Sequence, residues 1–140
     1  MYYECLGSFD SAHFLKGYEG NCRNLHGHTW EVEVRWKGKD LILGSLGIGI
    51  DMKVLKLCVD EVLERFDHTQ LNVLEEFNFI NPTAENLSVI LWQRINRVMR
   101  SKGYDNIIEL NLLTIWETRK CSVELDVEGY EKYKNLIGGK

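Results

Sequence analysis

Proline is almost absent: one residue in 140, and no low-complexity tract accompanies it. With no linker on which to divide the chain, residues 1–140 read as a single domain, long enough to bury a core. No apolar run approaches the ~20 residues that a membrane-spanning helix needs. Met1-Tyr2-Tyr3-Glu4-Cys5 reads as the start of a strand, so no charged-then-apolar leader is expected before the fold. No CxxC pair exists; Cys5, Cys22, Cys58 and Cys121 are far apart. Cytoplasm is the expected compartment, where such thiols stay reduced. Basic residues are not in excess either. Net charge is -4 and Lys and Arg are scattered, which argues against a nucleic-acid partner. What remains is an ordinary globular composition, 44% hydrophobic and 27% charged.

Against that background one stretch stands out: Cys22-Arg23-Asn24-Leu25-His26-Gly27-His28. From His28 to Trp36 the even positions are apolar and the odd ones polar, the period of a half-buried strand. Carried backwards, that parity puts His26 and His28 on the face of Trp30, Val32 and Val34. Two imidazoles side by side suit a metal, with Zn(II) the default for nitrogen ligands. Catalytic zinc takes three protein ligands, and His13 is the third candidate. The plainer alternative is a turn into a strand with two hydrogen-bonded histidines.

In chain order, residues 2–13 read as a strand and 14–25 as a loop. A second strand runs from His26 to about Lys39, followed by a glycine-rich apolar connector from Leu41 to Ile50. Asp51 caps a helix whose apolar face is Met52, Leu55, Val59, Val62, Leu63 and Phe66, stopping near Phe66. Residues 67–72 form a loop. Pro82 and Thr83 open a second helix, with Leu87, Ile90, Leu91, Ile95 and Val98 on its stripe, ended by Gly103. Ile107–Glu117 and Cys121–Val127 read as strands three and four, joined in a hairpin. The tail from Gly129 reads as a short docked helix with a frayed Gly138-Gly139-Lys140 end. Cys58 and Cys121 fall at apolar, core-like positions. The order ββααββ predicts an α+β fold: a four-stranded antiparallel sheet with two helices on one face.

Three further positions carry chemistry. Cys22 beside a cationic metal could act as a thiolate base or nucleophile. Asp67-His68 pairs a carboxylate with an imidazole, a proton shuttle or simply a helix end and an exposed loop residue. Glu117 either starts a hairpin or accepts hydrogen bonds from a planar ligand bearing N–H donors. Spacing alone does not bring these together.

In family order, the chain carries Ser11-Ala12-His13, Cys22-x-x-x-His26-Gly27-His28, Ile50-Asp51-x-x-x-Leu55-Lys56, Asp67-His68-x-x-Leu71-Asn72, Asn81-Pro82-Thr83-x-Glu85-Asn86 and Glu117-Thr118. With these six pieces it resembles the 6-pyruvoyltetrahydropterin synthase / 6-carboxytetrahydropterin synthase family. The resemblance implies zinc held by His13, His26 and His28, Cys22 as the proton-abstracting thiol, and Asp67 and His68 as its partners. Glu117 would anchor the pterin's amino-pyrimidine edge, and Thr83 would line the pocket. It also implies the tunnelling fold, a homo-hexamer built as a dimer of trimers, and active sites between chains. The implied substrate is 7,8-dihydroneopterin triphosphate. The bacterial 6-carboxy branch, which releases acetaldehyde on the route to queuosine, is favoured by the compact Cys-to-His spacing. A 6-pyruvoyl product, an aldol cleavage and a non-catalytic zinc-stabilised module are the rivals. Lys16, Arg23 and Lys53 are candidate triphosphate contacts. Met52, Thr29-Trp30 and the Leu41–Gly49 connector depart from the family pattern, Trp30 with the potential to reshape the pocket.

Overall fold

The structure, a computed structural model, describes residues 1–39 and 41–137. Its elements are β1 (Tyr2–His13), β2 (His26–Gly38), α1 (Met52–Leu63), β3 (Thr69–Gln70), α2 (Ala84–Ser101), β4 (Ile108–Thr118), β5 (Cys121–Asp126) and α3 (Val127–Ile137). Short 3-10 turns lie at Asn21–Arg23, Leu71–Val73 and Glu75–Phe77. The sheet order is β3-β1-β2-β4-β5. All pairings are antiparallel except β3, which runs parallel to β1 through Ser11↔Thr69 and Ala12↔Gln70. The α+β class holds, but among the described residues the sheet has five strands and is mixed, and there are three α-helices rather than two. A two-residue strand is too short to show alternation, so β3 left no trace in the hydrophobic pattern.

The parity of β2 is realised in full. Trp30, Val32, Val34 and Trp36 are wholly buried, facing the helices together with Cys5 and Phe9 of β1. From α1 the buried residues are Leu55, Cys58, Val59, Val62 and Leu63. Met52, expected on that face, is 44% exposed. It is the first residue after the cap, where Asp51 accepts the Lys53 N–H, and the apolar stripe only begins a turn later. The helix ends at Leu63, and Phe66 is buried from the turn that follows. Val127 opens α3 instead of extending β5, because the Asp126 carboxylate accepts the Gly129 N–H at 2.8 Å and caps the helix. α3 docks through Tyr130 stacked on Trp92, ring centroids 5.0 Å apart. The expected frayed end, residues 138–140, lies outside the described residues.

Two other expectations change. Cys121 is exposed, at the hairpin where the β4–β5 register shifts, whereas Cys5 and Cys58 are buried. In the connector Leu41–Ile50, residues 42–48 are exposed and Gly44 and Ile48 close a turn (N–H to C=O, 3.1 Å). Glu76 bridges the turn after α1 and helix α2. Its carboxylate receives Arg65 at 2.5 and 2.9 Å and also Arg94, whose guanidinium lies over the Phe66 ring. No helix among the described residues is long and apolar enough to cross a membrane.

Candidate active site

β1 and β2 are antiparallel neighbours, and their register sets His13 opposite His26 and Ser11 opposite His28. Odd residues of β1 and even residues of β2 share the helix-covered face, so three imidazoles meet at one end of it. Their ligand nitrogens all lie within 4.8 Å of one another. Trp30, the next residue on that face, forms the floor, its ring centroid 5.3 Å edge-on from those of His13 and of His28. Wholly buried there, Trp30 supports the histidines from below; it does not line the cavity in front of them.

Hydrogen bonds decide which nitrogens are bare. His13 Nδ1 is 2.7 Å from the Pro82 carbonyl and His26 Nδ1 is 2.7 Å from the Asn24 carbonyl. A carbonyl only accepts, so both Nδ1 atoms carry the proton, and in the neutral imidazole both Nε2 atoms then present lone pairs. Those Nε2 atoms face each other at 3.0 Å. Two lone pairs at that distance repel unless a cation lies between them. His28 Nε2 is buried with no hydrogen-bond partner. Burial pushes the His13 and His28 imidazoles below their ordinary value, favouring the neutral, ligating form, although Glu117 pulls the other way. Glu117 Oε1 stands 3.3 Å from His13 Nε2 and 3.6 Å from His28 Nε2. Two facing lone pairs, the unpartnered His28 Nε2 and a carboxylate form a candidate cation site, and the nitrogen donor set suits zinc.

In front lies a cavity of about 390 Å³ whose walls include Leu15, Tyr18, Cys22, Thr83, Glu85 and Glu117. Thus Cys22, Thr83 and Glu117 share one cavity; the three histidines do not line it, and Glu117 is the residue that joins it to them. Cys22 sits in the 3-10 turn Asn21–Arg23, half-buried. Thr83 is the N-cap of α2, its hydroxyl accepting the Asn86 N–H. Lys16, Arg23 and Lys53 are exposed, and none of them lines this cavity.

Asp67 and His68 are elsewhere, at the outer edge of β1. His68 Nδ1 is 2.8 Å from Asp67 Oδ2, and Asp67 Oδ1 accepts the Asp10 N–H at 2.8 Å. The His68 N–H returns to the Asp10 carbonyl at 2.7 Å, with His68 held at φ +54°. The Asp10 N–H and then the His68 ring hold the Asp67 carboxyl below its usual value. Asp67 lines a separate depression with Ser8, Asp60 and Lys102. The pair is built as a carboxylate-oriented imidazole with Nε2 free toward solvent, His68 being 81% exposed.

Sequence reasoning missed the carbonyls of Pro82 and Asn24 that fix the imidazole tautomers, since a backbone acceptor leaves no mark in a sequence. It also missed Tyr18 and Leu15 as cavity walls; their loop has no periodicity to read. Glu85, within the Asn81–Asn86 motif, was the one legible signal.

The profile of the family described as 6-pyruvoyl tetrahydropterin synthase matches residues 5–128. The chain is 34% identical over 119 residues to the dihydroneopterin monophosphate aldolase of Pyrococcus furiosus, covering 85% of this chain and 91% of that protein. It is 30% identical over 131 residues to the 6-carboxy-5,6,7,8-tetrahydropterin synthase of Haemophilus influenzae, covering 79% and 88%. Among solved structures, the 6-pyruvoyl tetrahydropterin synthase of Caenorhabditis elegans matches with a TM-score of 0.76 at 26% identity, over 90% of this chain and 94% of that one.

Proposed function

The chain belongs to the 6-pyruvoyl tetrahydropterin synthase family, and on that premise we propose that it is a zinc-dependent, cytoplasmic lyase acting on a dihydropterin phosphate. Specifically, it converts 7,8-dihydroneopterin triphosphate to 6-carboxytetrahydropterin, acetaldehyde and triphosphate, the step that leads toward queuosine. The observation that supports this reading is the cluster of three imidazoles packed against Glu117, a residue that also lines the cavity of Cys22 and Thr83.

His13, His26 and His28 would hold the zinc, which when bound polarises the side-chain hydroxyls and acidifies the neighbouring C–H bonds. The Pro82 and Asn24 carbonyls keep His13 and His26 in the ligating tautomer. Glu117 accepts from the amino and ring N–H groups of the pterin, setting its register in the cavity. Cys22 takes a proton from the substrate side chain, and Thr83 closes the wall. Asp67 orients His68, whose free nitrogen relays protons. Since Asp67-His68 stands apart from the Cys22 cavity within one chain, that relay is supplied by a neighbouring subunit of a homo-hexamer.

A second reading has its own support. The similarity to the Pyrococcus furiosus aldolase spans nearly the whole chain. The cavity also has two carboxylates, Glu85 and Glu117, and no basic side chain among the described residues in its walls. A triphosphate therefore needs cations from a neighbouring chain, whereas a monophosphate makes a smaller demand. On this reading the enzyme breaks the side chain of the monophosphate by retro-aldol cleavage.

The deciding experiment incubates zinc-loaded protein with each phosphate ester and identifies products by mass spectrometry. Acetaldehyde with 6-carboxytetrahydropterin supports the first reading. A phosphorylated two-carbon aldehyde with a hydroxymethyl pterin supports the second. A 6-pyruvoyl product keeps the site and moves the branch. Zinc binding without any turnover would leave a non-catalytic zinc-stabilised module and end the enzymatic reading.

A further inference from the structure

The segment between His13 and the Cys22 loop is only a few residues of irregular chain, yet its main chain is tied on both sides. Asn72 Oδ1 accepts the Phe14 N–H at 2.9 Å, and Asn72 Nδ2 donates to the Phe14 carbonyl at 2.8 Å. Two residues on, Asn81 repeats the pattern: Oδ1 accepts the Lys16 N–H at 2.8 Å and Nδ2 donates to the Lys16 carbonyl at 3.0 Å. Each amide side chain offers one acceptor and one donor to a single residue, as a neighbouring strand does at a hydrogen-bonded pair. Successive residues of extended chain point their N–H groups to opposite sides. Leu15, between the two tied residues, accordingly donates its N–H the other way, to the Cys22 carbonyl at 2.8 Å. The turn that carries the thiol is thus docked on a strap held by two asparagines.

The asparagines are themselves anchored. The Asn81 carbonyl accepts Asn86 Nδ2 at 2.8 Å, from the first turn of α2. The next residue, Pro82, receives the His13 Nδ1–H. Asn72 lies in the 3-10 turn that directly follows β3 and the Asp67-His68 pair. An unanchored loop here would let the thiol wander relative to the imidazoles, and misplacement of a reacting group by about 1 Å can cost on the order of 100-fold in rate.

We propose that Asn72 and Asn81 are positioning residues that set the Cys22 thiol against the histidine cluster through the strap of residues 14–16. This rests on the reading of Cys22 as the proton-transferring group. It gives a function to two motif asparagines that touch neither the metal-ligand nitrogens nor the thiol.

The test uses zinc-loaded Asn72→Ala and Asn81→Ala proteins with the Asp variants beside them, which keep the acceptor and lose the donor. Expected is a fall in kcat of about 10- to 100-fold in the Ala variants with KM little changed, zinc content retained, and intermediate rates for Asp. In parallel, iodoacetamide labelling is mapped by peptide mass spectrometry. Cys22 should label several-fold faster once the strap loosens, while Cys5 and Cys58, buried in the core, stay protected. If Cys22 labelling rises only together with Cys5 and Cys58, the asparagines are general stability residues and the proposal fails. Unchanged kcat and unchanged Cys22 labelling would also overturn it. Should an Ala variant not fold, its Asp counterpart carries the same comparison. If wild-type protein turns over no pterin phosphate, the enzymatic reading fails, and the labelling still decides whether the strap sets Cys22.

Discussion

A histidine is a ligand or a core residue depending on what its other nitrogen does, and here both outer nitrogens that matter are tied to carbonyls. His13→Ala should therefore lower bound zinc from about one per chain to near zero, measured by atomic absorption after dialysis. Cys22→Ala should leave zinc content intact and abolish turnover; full activity would remove Cys22 from the mechanism. The contrast separates ligand from acid-base group in a way that either variant alone does not. The sequence made the His26–His28 pair legible because parity along a strand is a strong signal, and HxH on the apolar face is its direct product; that His13 joins them is set by the β1–β2 register. Cys22 and Glu117 were singled out by their chemistry and given roles by the resemblance, and only the fold shows that they share a cavity. The tautomers were not legible at all, because Pro82 and Asn24 act through their backbone oxygens.

Helix ends and loop clamps decide how firmly the elements hold that site. Thr83 has two tasks, capping α2 and lining the cavity. Thr83→Ala should cost about 1 kcal/mol of stability from the lost cap, read from urea midpoints, and Thr83→Ser should recover most of it. Glu76 fastens its own 3-10 turn to Arg65, just beyond α1, and to Arg94 of α2. Burial pushes its carboxyl up, but Arg65 and Arg94 hold it below the ordinary 4.5 on balance. A depressed folded value means that its contribution is present above the unfolded value and is lost as pH falls through the folded one. Glu76→Gln should thus destabilise by about 1–3 kcal/mol at neutral pH. The difference from wild type should shrink in acid, below the ordinary glutamate value, where Glu76 itself becomes protonated. A constant difference across that range would place the loss in packing instead of charge. The long elements were legible from periodicity and caps. β3 was not, since its two residues are specified by the Asp10 main chain meeting Asp67 and His68. Val127 was misplaced because a capping Asp126 looks like one more polar position in an alternating strand.

At the scale of the molecule, the two halves of the proposed proton machinery are separated. Cys22 shares a cavity with Thr83 and Glu117, whereas Asp67-His68 stands at the edge of β1, where the sheet's hydrogen bonding runs out after a two-residue partner. A single chain thus leaves both the edge and the imidazole facing outward, and a second copy is the proposed means of joining them. Subunit complementation tests this directly. Cys22→Ala and His68→Ala proteins should each be inactive alone. Mixed in equal amounts, dissociated and reassembled, they should recover about a quarter of wild-type activity, the chance that a site draws an intact thiol from one chain and an intact imidazole from its neighbour. Separately assembled oligomers mixed without dissociation provide the control and should stay inactive. Recovery would show that the site is completed across an interface. Failure to recover, with mixed oligomers verified by mass, would mean that each chain works alone. His68 would then have to reach the cavity by a movement of the Asp67–Gln70 edge, or take no part in the reaction.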